Sequence, residues 1–536
     1  MSNKVTGLHR FYKRDTSSKY TLVKCGTILY SLAAASGHAG TEEKTGLTAN
    51  AETYFCDFGD NCFIADGKSA LLKFDGSDVY KAGIAAPGTA PSQNTVGSGG
   101  SLSAGDYKFK LTYVDADGNE SNGSSASSAI TATANQKITI NIAIYEGSDY
   151  SVAKRRIYRT VANGEDIYYY DGEVADNETT TYESTMSDTS LIAQSTPQND
   201  AYLHTNHTTP PSAPDYVTKK RNRLFLGVDD SLYFSKLTYE YFPSAYFIKT
   251  GDRQKIRGLV EQLYFLHSYT DDNVEALKGT SANIDSSDYF EFTNMYAPHG
   301  CIATRSLANC NNLILFLTID GIYYQNVDQI KPINEILNGY IKDNINPTYR
   351  HLSAGVFYKN TYYLSYPKGV NTVPSETVFY DFTTGTFGVY SFAFNCYCVW
   401  DKGGDPWTLQ GGSTTVGRVY DVLSGLTDDG SNIEAYDDIM GLNFGFPDRY
   451  KQVYDIYIKV KSTTGTGLRL YYTLDNNAET YEDITLTADT TQWYRVRLDG
   501  GGQRCREIAI RPRMSDAYAW EIHGYQFVYS VEELLV

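Results

Sequence analysis

The sequence predicts an all-β protein: a β-propeller-like body with an inserted fibronectin-III-like sandwich and a C-terminal β-sandwich. Three observations carry that expectation. Aromatic residues make up 14% of the 536 residues, with 47 Tyr and 23 Phe, and such side chains favour strands. Short apolar stretches recur, each interrupted by two or three turn-forming residues. Only one segment has convincing helical spacing.

The recurring unit is a hairpin. Residues 22–32 (LVKCGTILYSL) turn at Gly26-Thr27, and residues 54–67 turn at Gly59-Asp60-Asn61. Residues 221–237 (RNRLFLGVDDSLYFSKL) turn at Asp229-Asp230, residues 313–326 at Asp320-Gly321 and residues 355–366 at Lys359-Asn360. Gly, Asn and Asp tolerate the positive φ that tight turns need. A single hairpin cannot bury its apolar face alone, so the repetition predicts blades packed around an axis.

Composition shifts divide the chain. Residues 1–85 are the first part of the propeller. Residues 86–104, rich in Gly, Ser, Thr and Pro, read as a linker. Residues 105–196 change rhythm: Tyr107, Phe109, Leu111 and Tyr113 alternate with polar residues, and a hairpin surrounds Asn163-Gly164. A unit of this size and strand content suits a fibronectin-III-like sandwich. Residues 197–216, with Pro210, Pro211 and Pro214, form a second linker. Hairpins resume over 217–430, the second part of the propeller. The one helical segment follows Pro332, read as a first-turn residue, with Ile333, Ile336, Leu337, Tyr340 and Ile341 on one face. Residues 431–536 read as a β-sandwich, with Tyr454, Ile456, Ile458 and Val460 on one face and a turn at Gly465–Gly467.

Charge and cysteine usage narrow the function. A net charge of −17 argues against tight sequence-specific DNA binding, which needs a basic face. Cys25, Cys56, Cys62, Cys301, Cys310, Cys396, Cys398 and Cys505 are scattered, so they read as free buried thiols and not as a disulfide scaffold. Cys396 and Cys398 share a strand face, but no further ligands complete a zinc site. The N-terminal apolar stretch is broken by Gly26, Thr27 and Ser31, which fits a hairpin better than a signal peptide. No run reaches the ~18 apolar residues of a membrane span. The expectation is synthesis in a cytoplasm without a cleaved leader.

Four patterns could carry chemistry. DADGNES (residues 115–121) resembles a calcium loop, but Gly118 falls at the fourth position and Glu120 at the sixth, so a hairpin turn is expected. His204 and His207 in HTNH read as solvated linker residues. KKRNR (residues 219–223) reads as a charged strand entrance. Acid pairs at Asp229-Asp230, Asp271-Asp272, Asp428-Asp429 and Asp437-Asp438 could serve a glycosidase only if the fold brought two carboxylates together. The sialidase-type hairpin motif, a Walker loop, Gly-x-Ser-x-Gly and His-Glu-x-x-His are all absent from the sequence. No catalytic, cofactor-binding or metal-ligating residue is assigned, and no enzyme activity is expected.

Residues 7–32, the segment around Arg221-Asn222-Arg223-Leu224 and Tyr233-Phe234-Ser235, and residues 276–281 and 299–326 with Asp320-Gly321-Ile322-Tyr323 resemble the tail nozzle (tail-tube) proteins of short-tailed bacteriophages. The order of split propeller, inserted sandwich and C-terminal sandwich is similar as well. The resemblance implies a structural virion protein in the tail, made in the bacterial cytoplasm and assembled as a homo-oligomeric, hexameric ring. It implies adaptor (head–tail connector) proteins and tail fibres as partners. Genomic DNA would pass through the lumen without sequence specificity. It implies no cofactor, no catalytic residue and no membrane span. The charge fits a polyanion in transit: DNA carries one negative charge per ~1.7 Å of axis, and an acidic wall keeps it from adhering. Two other classes stand beside this one, a receptor-binding adhesin and a propeller glycosidase.

Overall fold

A computed structural model describes residues 3–32, 40–197, 200–279, 290–295, 299–327, 329–400, 408–465, 467–475, 477–515 and 519–532. The protein is all-β, with two compact units, Met1–Val422 and Leu423–Val536.

In the first unit, seven antiparallel sheets form the body in chain order among the described residues, with the insert's three small sheets between the second and the third. Blade 1 spans 5–44, blade 2 54–81, blade 3 216–249, blade 4 258–294, blade 5 308–332, blade 6 354–390 and blade 7 394–422. Six have four strands and blade 7 has three. The hairpins read from the sequence supply the middle of these blades. Lys359 and Asn360 both take positive φ, 47° and 62°, as a tight two-residue hairpin turn requires. Gly321 falls inside the strand Gly321–Gln325, so that turn sits one residue earlier than the sequence suggests. Of the segments carrying the family resemblance, residues 280 and 281 lie outside the described residues.

Apolar side chains from each blade meet those of the next. Phe11 and Leu22 pack with Ile64 and Phe74 between blades 1 and 2, and Phe63 with Val217 and Leu224 between blades 2 and 3. Phe225 packs with Leu266 and Leu277, and Tyr269 with Ile314 and Phe316. Leu315 and Leu317 pack with Tyr362 and Leu364, and Tyr363 with Phe394 and Leu409. Cys396 and Cys398 of blade 7 then pack on Val5, Leu8 and Val23 of blade 1. The circle closes at that contact, where Asn395 Nδ2 donates to the Val5 carbonyl at 3.2 Å. All eight cysteines are buried and free.

The insert is a sandwich of short sheets built between Ser92 and Ser184. Its first strand, Ser92–Leu102, lies inside the stretch read as a linker and pairs with Gln136–Asn141. Glycine-rich composition hid it: ladder hydrogen bonds need only backbone, and Val96 and Leu102 supply its apolar contacts. The helix is Glu335–Asn344, with Asn334 as its cap. Pro332 ends the preceding strand, and Ile336 is exposed while Leu337 and Ile341 face the core.

The second unit pairs a five-stranded sheet with a four-stranded one. Ile456, Ile458 and Val460 point into its core, as alternation predicts. Tyr454 does not. An irregularity between Val453 and Asp455 turns Val453 inward instead, the effect of a β-bulge. The predicted turn at Gly465–Gly467 includes residue 466, which lies outside the described residues.

Candidate functional site

Two places in the first unit gather polar side chains. One is a cavity of about 280 Å³ lined by the first strands of six blades and by the segment leading into blade 5. It therefore lies on the propeller axis. Arg305, just before blade 5, reaches across it. Its Nη1 donates to the Asn395 carbonyl of blade 7 at 3.0 Å, its Nη2 to the Thr6 carbonyl of blade 1, and its Nε lies 3.9 Å from Glu52. Glu52 also accepts from the Tyr54 hydroxyl at 2.9 Å, and Tyr216 meets the Thr304 hydroxyl at 3.0 Å. Burial holds the Tyr54 phenol well above its ordinary range. The described residues lining the cavity include no Asp or Glu.

The second place is the junction between insert and propeller. Lys73, from the blade 2 strand Leu72–Phe74, is buried with its ammonium 2.8 Å from Asp115, 2.8 Å from Glu240 and 3.2 Å from Asp117. Glu240 follows blade 3's third strand, and its second oxygen accepts from the Gly83 amide at 2.8 Å. Burial disfavours the charged Lys73, yet Glu240 and Asp115 overcome this and hold it protonated. Burial pushes the Glu240 carboxyl up, against the pull of Lys73. Next to this cluster, Glu120 accepts from Arg156 at 2.7 Å, from Tyr158 at 2.7 Å and from Thr112 at 2.6 Å.

Motifs that read separately in the sequence meet here. DADGNES is more than a hairpin turn: Asp115 and Asp117 converge on the Lys73 ammonium, while Glu120 meets Arg156. HTNH is not a solvated linker. His207 is buried, stacks on Tyr241 with centroids 4.0 Å apart, and Nδ1 sits 2.7 Å from the Glu120 carbonyl. His204 stacks on His207 at 4.2 Å. KKRNR is not simply a charged entrance either. Arg221 turns with φ 52°, but Lys220 and Arg223 are buried, Lys220 beside Phe265 and Arg223 beside Phe234 and Tyr246. Burial lowers the Lys220 ammonium to about 8.

The acid pairs have local partners of their own. Asp230 bonds Ser231 and Lys249, Asp271 pairs with Arg257 at 2.8 Å, Asp428 lies in a hairpin, and Asp438 pairs with Arg511. A glycosidase needs two carboxylates ~5–9.5 Å apart across a sugar. Two acid-containing groups could bring ligands together among the described residues: Asp115, Asp117 and Glu240; and His9, Asp57 and Cys62. The Lys73 ammonium contacts all three members of the first. In the second, burial raises the Cys62 thiol, which disfavours the thiolate a metal binds, and His9 already bonds Asp57 at 2.8 Å.

Sequence reading missed Lys73, Glu240 and Arg305. Lys73 had a signal: a lysine within the apolar run LLKF, at a position whose neighbours are buried, demands a carboxylate partner. Arg305 carried none, because its partners are backbone carbonyls from opposite ends of the unit.

No protein-family model matches the chain, and no curated protein matches it. Among solved structures, the exo-β-1,3-galactanase of Phanerochaete chrysosporium with galactose is 10% identical, aligning over 90% of this chain and 97% of that one at a TM-score of 0.19. Two variants of the same enzyme with β-1,3-galactotriose align at TM-scores of 0.18 with 9% and 10% identity, over the same shares of both chains. Scores this low carry no argument about function.

Proposed function

We propose that this chain is an architectural subunit of a short-tailed phage tail, assembling into a ring-shaped nozzle that extends the DNA channel, retains the packaged genome and conducts it on ejection. The observation that carries this reading is that both polar clusters serve as internal braces. Lys73, Asp115 and Glu240 tie the insert to the propeller, and Arg305 spans the axis. The axial cavity, about 280 Å³, is crossed by Arg305, so a duplex would have to pass between copies and not through one. A hexamer at −17 per chain carries about −100, which suits a lumen that must not hold phosphates. Negative-stain electron microscopy of the purified protein is expected to show rings with a central opening. A chain that stays monomeric at every concentration, or hydrolyses glycosides, overturns the reading.

A further inference from the structure

The C-terminal unit begins with an arm. Every residue from 423 to 434 is exposed. Within it Thr427–Asp428 pairs with Ser431–Asn432 as a two-stranded sheet of its own. A lone hairpin this short is marginal in water, and this one also exposes Leu423, Leu426 and Ile433. Its charge is one-sided: residues 423–448 hold six carboxylates and no Lys or Arg. Glu434 and Asp438 pair with Arg513 and Arg511, and Asp437 accepts from Tyr525; Asp428 and Asp429 are exposed at the hairpin turn.

The same unit carries the complement. On the outer face of its four-stranded sheet, Lys459 lies opposite Trp493, Tyr457 opposite Arg495, and Asp455 opposite Arg497, with Lys461 two residues on. Trp493 is 45% exposed, and the Arg497 side chain is 73% exposed with a single ion pair, 3.7 Å from Asp455. Asp455 is held bidentately by Arg495. Glu521 faces Lys461. Four cations against two carboxylates, with aromatic rings between them, make a basic face on an acidic protein. In a single chain the arm is exposed throughout, and on the face Trp493, Arg495 and Arg497 are exposed.

We propose that the acidic, apolar arm of one copy docks on the basic, aromatic sheet face of the next. Leu426 and Ile433 would lie against Trp493 and Tyr457, and Asp428 and Asp429 against Lys459 and Arg497. Two different surfaces of one chain then meet head to tail, the arrangement that generates rings when the rotation closes. This rests on the ring reading above and adds the contact that builds it.

The test uses the full chain with D428K/D429K in the arm, K459E/R497E in the face, and all four changes together, each checked for native circular dichroism. Mass photometry at low salt reads the assembly. Each reversal alone is expected to weaken assembly by about tenfold or more, and the fourfold variant to recover it, because the charge pairing is restored with opposite sign. If wild type forms rings and both reversals form them equally well, the arm-to-face contact is wrong while the ring reading stands. If the reversals disrupt the rings and the fourfold variant fails to recover them, the contact is also wrong. If wild type never assembles, both fall.

Discussion

Lys73 is one ammonium among three carboxylates, and two of those, on Asp115 and Glu240, are buried with it. Its replacement leaves them without a counter-charge. Lys73→Met is expected to destabilise the first unit by about 3–5 kcal/mol, the cost of breaking a buried pair from one side. Urea unfolding measures this, and adding Glu240→Gln should return part of the loss. His207 gives a pH dependence. Burial, with His204 and Lys236 nearby, lowers its pKa from 6.5 to about 3. The folded chain keeps it neutral while the unfolded chain protonates it below about 6.5. Its contribution is therefore complete above pH 6.5 and is lost as pH falls towards 3. His207→Phe preserves stacking on Tyr241 and is expected to flatten the decline between pH 6.5 and 4. Parallel melting curves check this, with the part due to His267, lowered by burial to about 4, still present.

At the scale of elements, the strand Ser92–Leu102 decides where the insert begins. It is one of two partners of Gln136–Asn141, the other being Thr181–Ser184. A fragment of residues 90–196 is expected to give dispersed proton NMR spectra. A fragment starting at 105 would lack that strand, and with it Val96 and Leu102 from the core, and is expected to be unfolded or molten. Dispersed spectra from the shorter fragment would show the strand to be dispensable. Hairpins were legible in the sequence because their turns need residues that tolerate positive φ. This strand was not, because its composition is that of a linker and its pairing partners lie 38 or more residues away.

For the whole molecule, the closure of the seven blades depends on contacts between the chain's first strand and its last blade. Arg305 adds bonds to both. Arg305→Met is expected to cost about 3–6 kcal/mol, the sum of two charged hydrogen bonds to buried carbonyls, and to lower the melting temperature of the first unit only. The second unit has its own core from Val453 to Met514, so residues 423–536 expressed alone are expected to fold and melt cooperatively. A fragment that shows no cooperative transition would mean this core needs the propeller.

The sequence by itself determined the class of the protein, the hairpin unit and its repetition. These depend on neighbours a few residues apart: alternation, turn chemistry and the burial of aromatic side chains. It also made the thiols legible as buried and free. The tertiary structure decided how many blades close the circle, which strand the linker conceals, and what the charged motifs do. Asp115, Glu240 and Lys73 are separated by up to 167 residues, and Arg305 by 299 from Thr6. A carboxylate's role depends on which charge stands beside it. Only the fold brings those charges together, because desolvation and Coulomb attraction act over a few ångströms of space and not along the chain.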